Sequence, residues 1–320
     1  MGTVEVLSAA DIGALITPTE AVDAICDALV SGSVDPELDD PRLFSPAPGG
    51  EFLLMPARGR AAAGVKVLTV APDNPARGKP KIQGVYVLVG SDDLAPRALL
   101  DGPELTLIRT PAVTVLAIRE LLAAGPPRPP GPLPMVVYGT GPQARRHLQT
   151  MRSVLGPIDA AVIGRLPGAI NEFIGETTRP GLAVRAGTPA DVPGAAVVLT
   201  ATSSPTPVVD AALIGPHTVV AAVGAHGPQN AELPPELVRR ADVVVEARAS
   251  AMREGGNLLR ARTADDWARQ PPANLADLVT GRFRRRPDTP AVYSGVGMSW
   301  EDLVLATTIV DRHQKPTGGT

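Results

Sequence analysis

Residues 135–148 read MVVYGTGPQARRHL: an apolar run, two glycines one residue apart, and then a segment of helical composition. Gly139, Gly141 and Ala144 make the pattern G-x-G-x-x-A at the point where a strand gives way to a helix. In that setting each small residue has its own duty. The first glycine allows a tight turn, the second lets backbone amides approach a pyrophosphate, and the third lets helix and strand pack closely. Phosphates then lie against the N-terminus of the helix that starts at Pro142. Glycine-rich strand-to-helix turns also occur with nothing bound, so the weight falls on the residues beyond the turn. Downstream, the apolar segments AAVIG (160–164), AAVVLTATS (195–203), TVVAAVG (218–224) and DVVVEA (242–247) alternate with helical ones at 169–176, 209–214 and 235–241. Strands apolar on both faces and separated by helices predict an α/β fold with a doubly wound parallel sheet. A dinucleotide is the ligand such a sheet holds behind that glycine turn.

The end of the next strand bears on which dinucleotide. An NAD site places Asp or Glu there to accept from the ribose hydroxyls; this chain has Gly164 and Arg165. A guanidinium suits a 2′-phosphate, so NADP(H) is favoured and NAD(H) stays open, since Arg165 also reads as a solvated loop arginine.

Upstream of the glycine turn the patterns differ. Residues 17–32, TPTEAVDAICDALVSG, offer Thr17 as N-cap, Pro18 at the first helical position and Glu20 to close a capping box, with Val22, Ile25, Leu29 and Val30 on one face. From 51 to 101, short apolar runs broken by Gly, Pro and Asp predict an antiparallel sheet. Helical spacing returns at 109–125, RTPAVTVLAIRELLAAG, and stops at GPPRPPGPLP (125–134), which reads as a domain junction. The tail at 291–313 predicts a strand and then an amphipathic helix on Leu303, Ala306, Thr307 and Val310.

Composition narrows the function classes. A net charge of −3 over 320 residues provides no general basic surface for nucleic acid. Cys26 is the single cysteine, and no CxxC pair or His/Cys cluster has metal-ligand spacing, so neither a disulfide within the chain nor a metal site is expected. MGTVEVLSAADIGAL lacks a basic stretch followed by an apolar core, and no run reaches the ~18 apolar residues of a membrane span; a cytoplasmic protein without membrane contact is expected.

Five stretches carry a wider likeness: GVKVLTVAPDNPA (64–76), ALLDGPELTLIRTPAV (98–113), GTGPQARRHL (139–148), TATSSPTPVV (200–209) and VGAHGPQNAEL (223–233). Together they resemble the ornithine cyclodeaminase/mu-crystallin family, whose members include cyclodeaminases, alanine dehydrogenase, ketimine reductases and an amino-acid synthase. The resemblance implies a homodimer with two domains per chain: an α+β substrate-binding and dimerisation domain from 1–112 with 292–320, and a central Rossmann-type domain from 113–291. It places cofactor contacts at Thr110, Gly139, Thr140, Gly141, Pro142, Gln143, Ala144, Gly164, Arg165, Thr200, Ala201, Thr202, Ser203, Val223 and Gly224. A substrate carboxylate is expected on Arg42, Lys66 and Arg109, two guanidinium forks and an ammonium suited to fixing one anion. Lys66 stands out even without the resemblance. It interrupts AAAGVKVLTV (61–70), where burial without a partner is costly and where desolvation lowers a lysine pKa, so it reads as carboxylate ligand, acid/base group, or both.

Two departures from the family point to the reaction. Cyclodeaminases have an aspartate after "GA", where this chain has His226, and a glutamate before "LMP", where it has Leu53. Both acids that engage a diamine are thus missing, and an ammonium left beside an apolar wall costs about 2 kcal/mol or more. The expected substrate is a small amino, imino or 2-oxo acid, and the expected reaction is NADP(H)-dependent reduction of a C=N bond. His226, whose ring type titrates near neutrality, is then a candidate donor to the imine nitrogen, against the alternative of a plain loop residue. Lyase or synthase chemistry with an internally recycled hydride, and a non-catalytic NADPH and small-acid binder, are the competing readings. The tail departs as well, with Tyr293, Gly295 and Ser299 replacing the family's Phe, Ser and Ala, while Gly297 and Asp302 keep its pattern.

Overall fold

The computed structural model describes residues 4–314. Its strands are β1 (Glu5–Leu7), β2 (Leu43–Ala47), β3 (Gly50–Arg58), β4 (Ala62–Val70), β5 (Ile82–Gly90), β6 (Pro96–Asp101), β7 (Leu133–Tyr138), β8 (Ile158–Ile163), β9 (Leu182–Ala186), β10 (Val197–Thr200), β11 (Val219–Ala222), β12 (Asp242–Val245), β13 (Ala273–Asn274) and β14 (Ala291–Ser294). The helices are α1 (Ala9–Leu15), α2 (Pro18–Val30), α3 (Gly102–Ala123), α4 (Pro142–Leu155), α5 (Pro167–Thr177), α6 (Pro235–Arg240), α7 (Arg248–Glu254), α8 (Gly256–Leu259), α9 (Ala264–Arg269), α10 (Leu275–Val279) and α11 (Ser299–Gln314). The described residues form two compact units, 4–109 with 298–314 and 110–297.

In the first unit six strands run in the order β1-β6-β5-β4-β3-β2, antiparallel throughout except where β1 lies parallel to β6. Thr17 and Glu20 form the expected capping box at the start of α2. Helix α11 lies against β3, β4 and β5. Strand alternation explains the odd lysine. One row across the sheet, Met55–Lys66–Tyr86–Leu100, faces the helices and is buried, whereas the adjacent row, Leu43–Leu54–Val67–Val85, faces the other way. That second face is apolar and partly bare: Leu43 is 56% exposed, Val85 39%, and Val6, in line with Leu99, 72%.

The second unit is an eight-stranded, all-parallel sheet in the order β13-β12-β14-β11-β10-β7-β8-β9. The order doubles back between β7 and β10, as a doubly wound sheet requires, and opens a crevice at the carboxyl ends of those strands. Val136, Val198, Val220 and Val292 pack with Leu237 and Trp267 in one core cluster.

Three expectations need correction. The chain passes between units inside α3, at Arg109–Thr110, and not at the proline-rich 125–134, which joins α3 to β7 within the second unit. α3 also begins at Gly102, earlier than the helical spacing suggests, with Pro103 in its first turn and Pro111 inside it. The short helix expected near 209–214 is a single 3₁₀ turn, Ala211–Leu213.

Candidate active site

Lys66 is 1% exposed, and its ammonium donates to Asp302 Oδ2 at 2.6 Å and to Thr106 Oγ1 at 3.3 Å. Thr106 is oriented to receive it because its own hydroxyl donates to the Gly102 carbonyl one turn back in α3. One turn further on, Arg109 donates from NH1 to Glu301 Oε2 at 3.2 Å, and its Nε lies 3.5 Å from Asp302 Oδ1. Both acids are 0% exposed and occupy the first turn of α11, where the helix macrodipole favours negative side chains. Asp39 fixes that end of the helix by accepting from the Ser299 and Trp300 amides at 3.2 and 3.0 Å. Two buried cations and two buried carboxylates thus form one network, bridged by Asp302.

Burial pushes the Lys66 ammonium down to about 8; the nearby Arg109 charge acts the same way, and Asp302 and Glu301 oppose them. Tyr86 stands beside Lys66 in register, its buried hydroxyl without a hydrogen-bond partner among the described residues and its ring over Gly64, where a Cβ would lie 2.4 Å from the hydroxyl. Burial raises that phenol well above its usual value, with the Asp302 and Asp39 carboxylates adding to the effect.

Of the expected carboxylate ligands, Lys66 and Arg109 therefore meet on Asp302. Arg42 is half-buried one residue before β2, whose Leu43 pairs with Leu54 beside Met55 and Lys66 in the sheet. Leu53 is half-buried between Phe44 and Leu68 in the sheet, an apolar position as its identity suggests. Asp302, Glu301 and Tyr86 were not identified from sequence as site groups.

The second unit carries the glycine turn. Gly139 has φ +115°, and a Cβ there would meet the Ala201 carbonyl oxygen at 2.5 Å, so only glycine fits between the loops after β7 and β10. Gly141 differs: its φ of −83° suits any residue and a Cβ would meet nothing within 4 Å, which leaves open space over the N-terminus of the 14-residue α4. Ala144 is fully buried. A tight turn, an open approach to helix amides and a close-packed third residue are what a dinucleotide pyrophosphate requires, and the residues fit that group. Thr140 lies against Gly164, so the loops after β7 and β8 adjoin; Arg165 is exposed at the tip of the latter. His147 is buried, with Nδ1 2.7 Å from the Gln143 carbonyl, a packed residue of α4.

A glutamate that the sequence patterns do not mark ties the remaining cofactor loops together. Glu232, fully buried, accepts from Thr202 N and Thr202 Oγ1 through Oε1 and from Gly224 N through Oε2, each at 2.7 Å. Asn257 in turn receives the Glu232 and Leu233 amides at 2.9 and 3.1 Å. The loops after β10 and β11 are pinned to one carboxylate. Thr200 is wholly buried inside β10, so the surface of that loop belongs to Ala201, Thr202 and Ser203. Val223 is buried, and its amide donates to the Thr200 carbonyl. His226 is exposed beyond Gly224, its carbonyl accepting from Asn230. Thr110 is half-buried in α3, and Pro142 and Gln143 open α4. Among the described residues no group of three or more His, Cys, Asp or Glu is placed to hold a metal, and no helix is long and apolar enough to cross a membrane.

The second unit thus has the parallel sheet and glycine turn of a dinucleotide-binding domain, and the first carries buried paired cations of the kind that take small acids. The chain belongs to the ornithine cyclodeaminase/mu-crystallin family, which it matches over residues 3–316. It is 34% identical over 283 residues to a Δ1-pyrroline-2-carboxylate reductase of Burkholderia ambifaria, covering 87% of this chain and 86% of that one. A Δ1-pyrroline-2-carboxylate/Δ1-piperideine-2-carboxylate reductase of Azospirillum brasilense is 32% identical, with 97% and 96% covered. In fold it is similar to the Δ1-pyrroline-2-carboxylate reductase of Thermococcus litoralis solved with NADH and L-proline, with a TM-score of 0.83 at 23% identity and 99% of each chain covered. The chain is an NAD(P)-dependent oxidoreductase of the imine reductase type.

Proposed function

We propose that the substrate is a small cyclic imine with a carboxylate on the imine carbon, Δ1-pyrroline-2-carboxylate or its six-membered homologue, and that reduction yields the cyclic amino acid. The observation carrying this reading is the buried cluster in which Lys66 and Arg109, two cations able to take a carboxylate, are paired with Asp302 and Glu301, so that both acids are committed to the protein's own cations and not to a substrate ammonium. Leu53 and His226, standing where cyclodeaminases have acids, argue against a diamine. When bound, the reduced nicotinamide supplies a hydride to the imine carbon. Arg109 and Lys66, with Arg42, take the carboxylate and fix the plane of the ring. Lys66, its proton affinity lowered to about 8, also holds a proton at Nζ that it can lend to the imine nitrogen.

NADPH is the preferred reductant on this reading, supported by Arg165 and by the lack of any acid between Ile163 and Gly168 at the ribose end of the crevice. Homodimerisation through the bare apolar face of the first sheet completes the assembly, since an uncovered row such as Leu43–Leu54–Val67–Val85 is an interface in search of its copy. Val85→Lys places a charge in that face and is expected to give a monomer by light scattering; an unchanged dimer refutes this choice of face.

The function test is NADPH oxidation, followed by absorbance, with both cyclic imine carboxylates and with 2-oxo acids plus ammonia or amines. Rapid turnover of the cyclic imines is expected. Flat absorbance across the panel, together with consumption of an amino acid seen by mass spectrometry, would sink the reading in favour of internally recycled hydride.

A further inference from the structure

The network holds one more acid than the anchoring of Lys66 needs. Asp302 serves both cations, reaching Lys66 at 2.6 Å and lying 3.5 Å from Arg109 Nε. Glu301 adds a second carboxylate to Arg109, accepting from NH1 at 3.2 Å while wholly buried. A guanidinium binds a carboxylate through its fork of N–H donors, and here protein carboxylates already lie along the Nε and NH1 positions. With two acids against two cations, the cluster carries no excess positive charge of its own. An incoming carboxylate therefore meets a neutral network, in which one anion must give way before another gains the full strength of Arg109.

We propose that Glu301 is a specificity-determining positioning residue, an internal carboxylate that competes with the substrate carboxylate for Arg109, so that substrate enters by exchange and not by addition. The inference rests on the imine reductase reading above. Its physical consequence is selectivity at the expense of affinity. A ligand with an amide or alcohol in place of the carboxylate lacks the charge to displace Glu301, and is rejected more firmly than by an open cationic pocket. The substrate itself binds more weakly than its charge-assisted contacts alone provide. The local structure supports this role, because α11 is anchored by Asp39 and adjacent residues of its first turn send one acid to each cation.

Glu301→Gln keeps the shape and the acceptor while removing the charge. Read at about pH 6, where Lys66 keeps its proton even without the Glu301 charge, the expected result is a KM for Δ1-pyrroline-2-carboxylate lowered by about tenfold or more, the scale of one charged hydrogen bond, with a smaller change in kcat. The dissociation constant of pyrrole-2-carboxylate, a planar ring carboxylate that cannot be reduced, falls in parallel when titrated in the presence of NADPH, and NADPH affinity stays constant. Glu301→Asp retains the charge but withdraws it by one methylene, and gives intermediate values; it also serves if the Gln variant fails to fold. A KM and a dissociation constant that stay level or rise in a variant with wild-type melting and NADPH binding overturn the proposal. If the wild type turns over no cyclic imine carboxylate, the functional reading fails instead, and the pyrrole-2-carboxylate titrations still decide the role of Glu301.

Discussion

Replacing Asp302 by Asn tests whether the buried lysine is poised by its partner. At 2.6 Å and an effective dielectric of ~20, the Lys66–Asp302 attraction is about 6 kcal/mol before any relaxation. Asn keeps an acceptor and the surroundings adjust, but if only a quarter of that energy is lost, about 1.5 kcal/mol, the Lys66 pKa drops by about one unit. The direction is fixed: Asp302 and Glu301 hold the proton on Lys66, burial and Arg109 drive it off, and the Tyr86 hydroxyl beside it brings no charge. In the wild type, kcat/KM for cyclic imine reduction should fall above about pH 8, because neutral Lys66 neither holds the carboxylate nor lends a proton. In Asp302→Asn that limb should begin near pH 7, while His226→Gln leaves it in place. Stability gives a second reading with its own sign. Lys66 falls from its ordinary 10.5 to about 8, so the unfolded chain binds more protons between those values. The contribution of Lys66 to stability therefore grows as pH rises from about 8 to 10.5 and is absent below 8. The Asn variant should extend that rise to lower pH in urea titrations. An alkaline limb that stays near pH 8 in a folded Asp302→Asn enzyme refutes the assignment of the limb to Lys66.

Further substitutions probe the cofactor unit. Gly139→Ala forces a Cβ to within 2.5 Å of the Ala201 carbonyl oxygen at φ +115° and should cost about 1–3 kcal/mol in thermal unfolding. Gly141→Ala meets open space, so melting should hold while calorimetry shows NADPH binding weakened about tenfold or more; equal melting losses in both variants contradict the division of labour. Arg165→Asp should weaken NADPH far more than NADH in kcat/KM, and an equal loss on both removes its assigned role. Glu232→Gln leaves either the Thr202 or the Gly224 amide facing an NH2 group, and should weaken dinucleotide binding about tenfold with the sheet intact; unchanged binding shows that the loops need no such pin.

The glycine turn and the parallel sheet were legible because both are local. A strand, a turn and a helix occupy 14 consecutive residues, and Gly139 announces its conformational need by its identity. Lys66 was legible for a related reason: one charge in a run of alternating apolar residues must face something, and β4 turns it toward the helices. What it faces was not legible. Asp302 lies 236 residues further on, and an acid in the first turn of a helix is ordinary on dipole grounds, so nothing nearby marks it as buried. Glu232 escaped notice likewise, since its three donors come from loops 30 and 8 residues away. The proline-rich 125–134 misled because it resembles a linker, whereas the true passage hides in α3 two residues before Pro111.

The family resemblance implies three cations, Arg42, Lys66 and Arg109, converging on one anion, and on that count the site should bind any small carboxylate tightly. The fold changes the count. Each of the two cations it buries together comes with an acid from α11, and at the two positions where the resemblance implies acids for a diamine this chain has Leu53 and His226. Acidic groups are thus present, but they answer the protein's own lysine and arginine and are not offered to a substrate amine. That arrangement suits an imine, which brings a carboxylate and a C=N nitrogen with no ammonium demanding a dedicated acid. It also means that adding an acid need not convert such a site to amine binding. A Leu53→Glu change alone places a carboxylate between the exposed Phe44 and the buried Leu68, with the acids of α11 still committed to Lys66 and Arg109, and should not by itself yield ornithine turnover. If that variant, combined with His226→Asp, consumed ornithine, the number of acids and not their commitment to Lys66 and Arg109 would be what separates the two reactions.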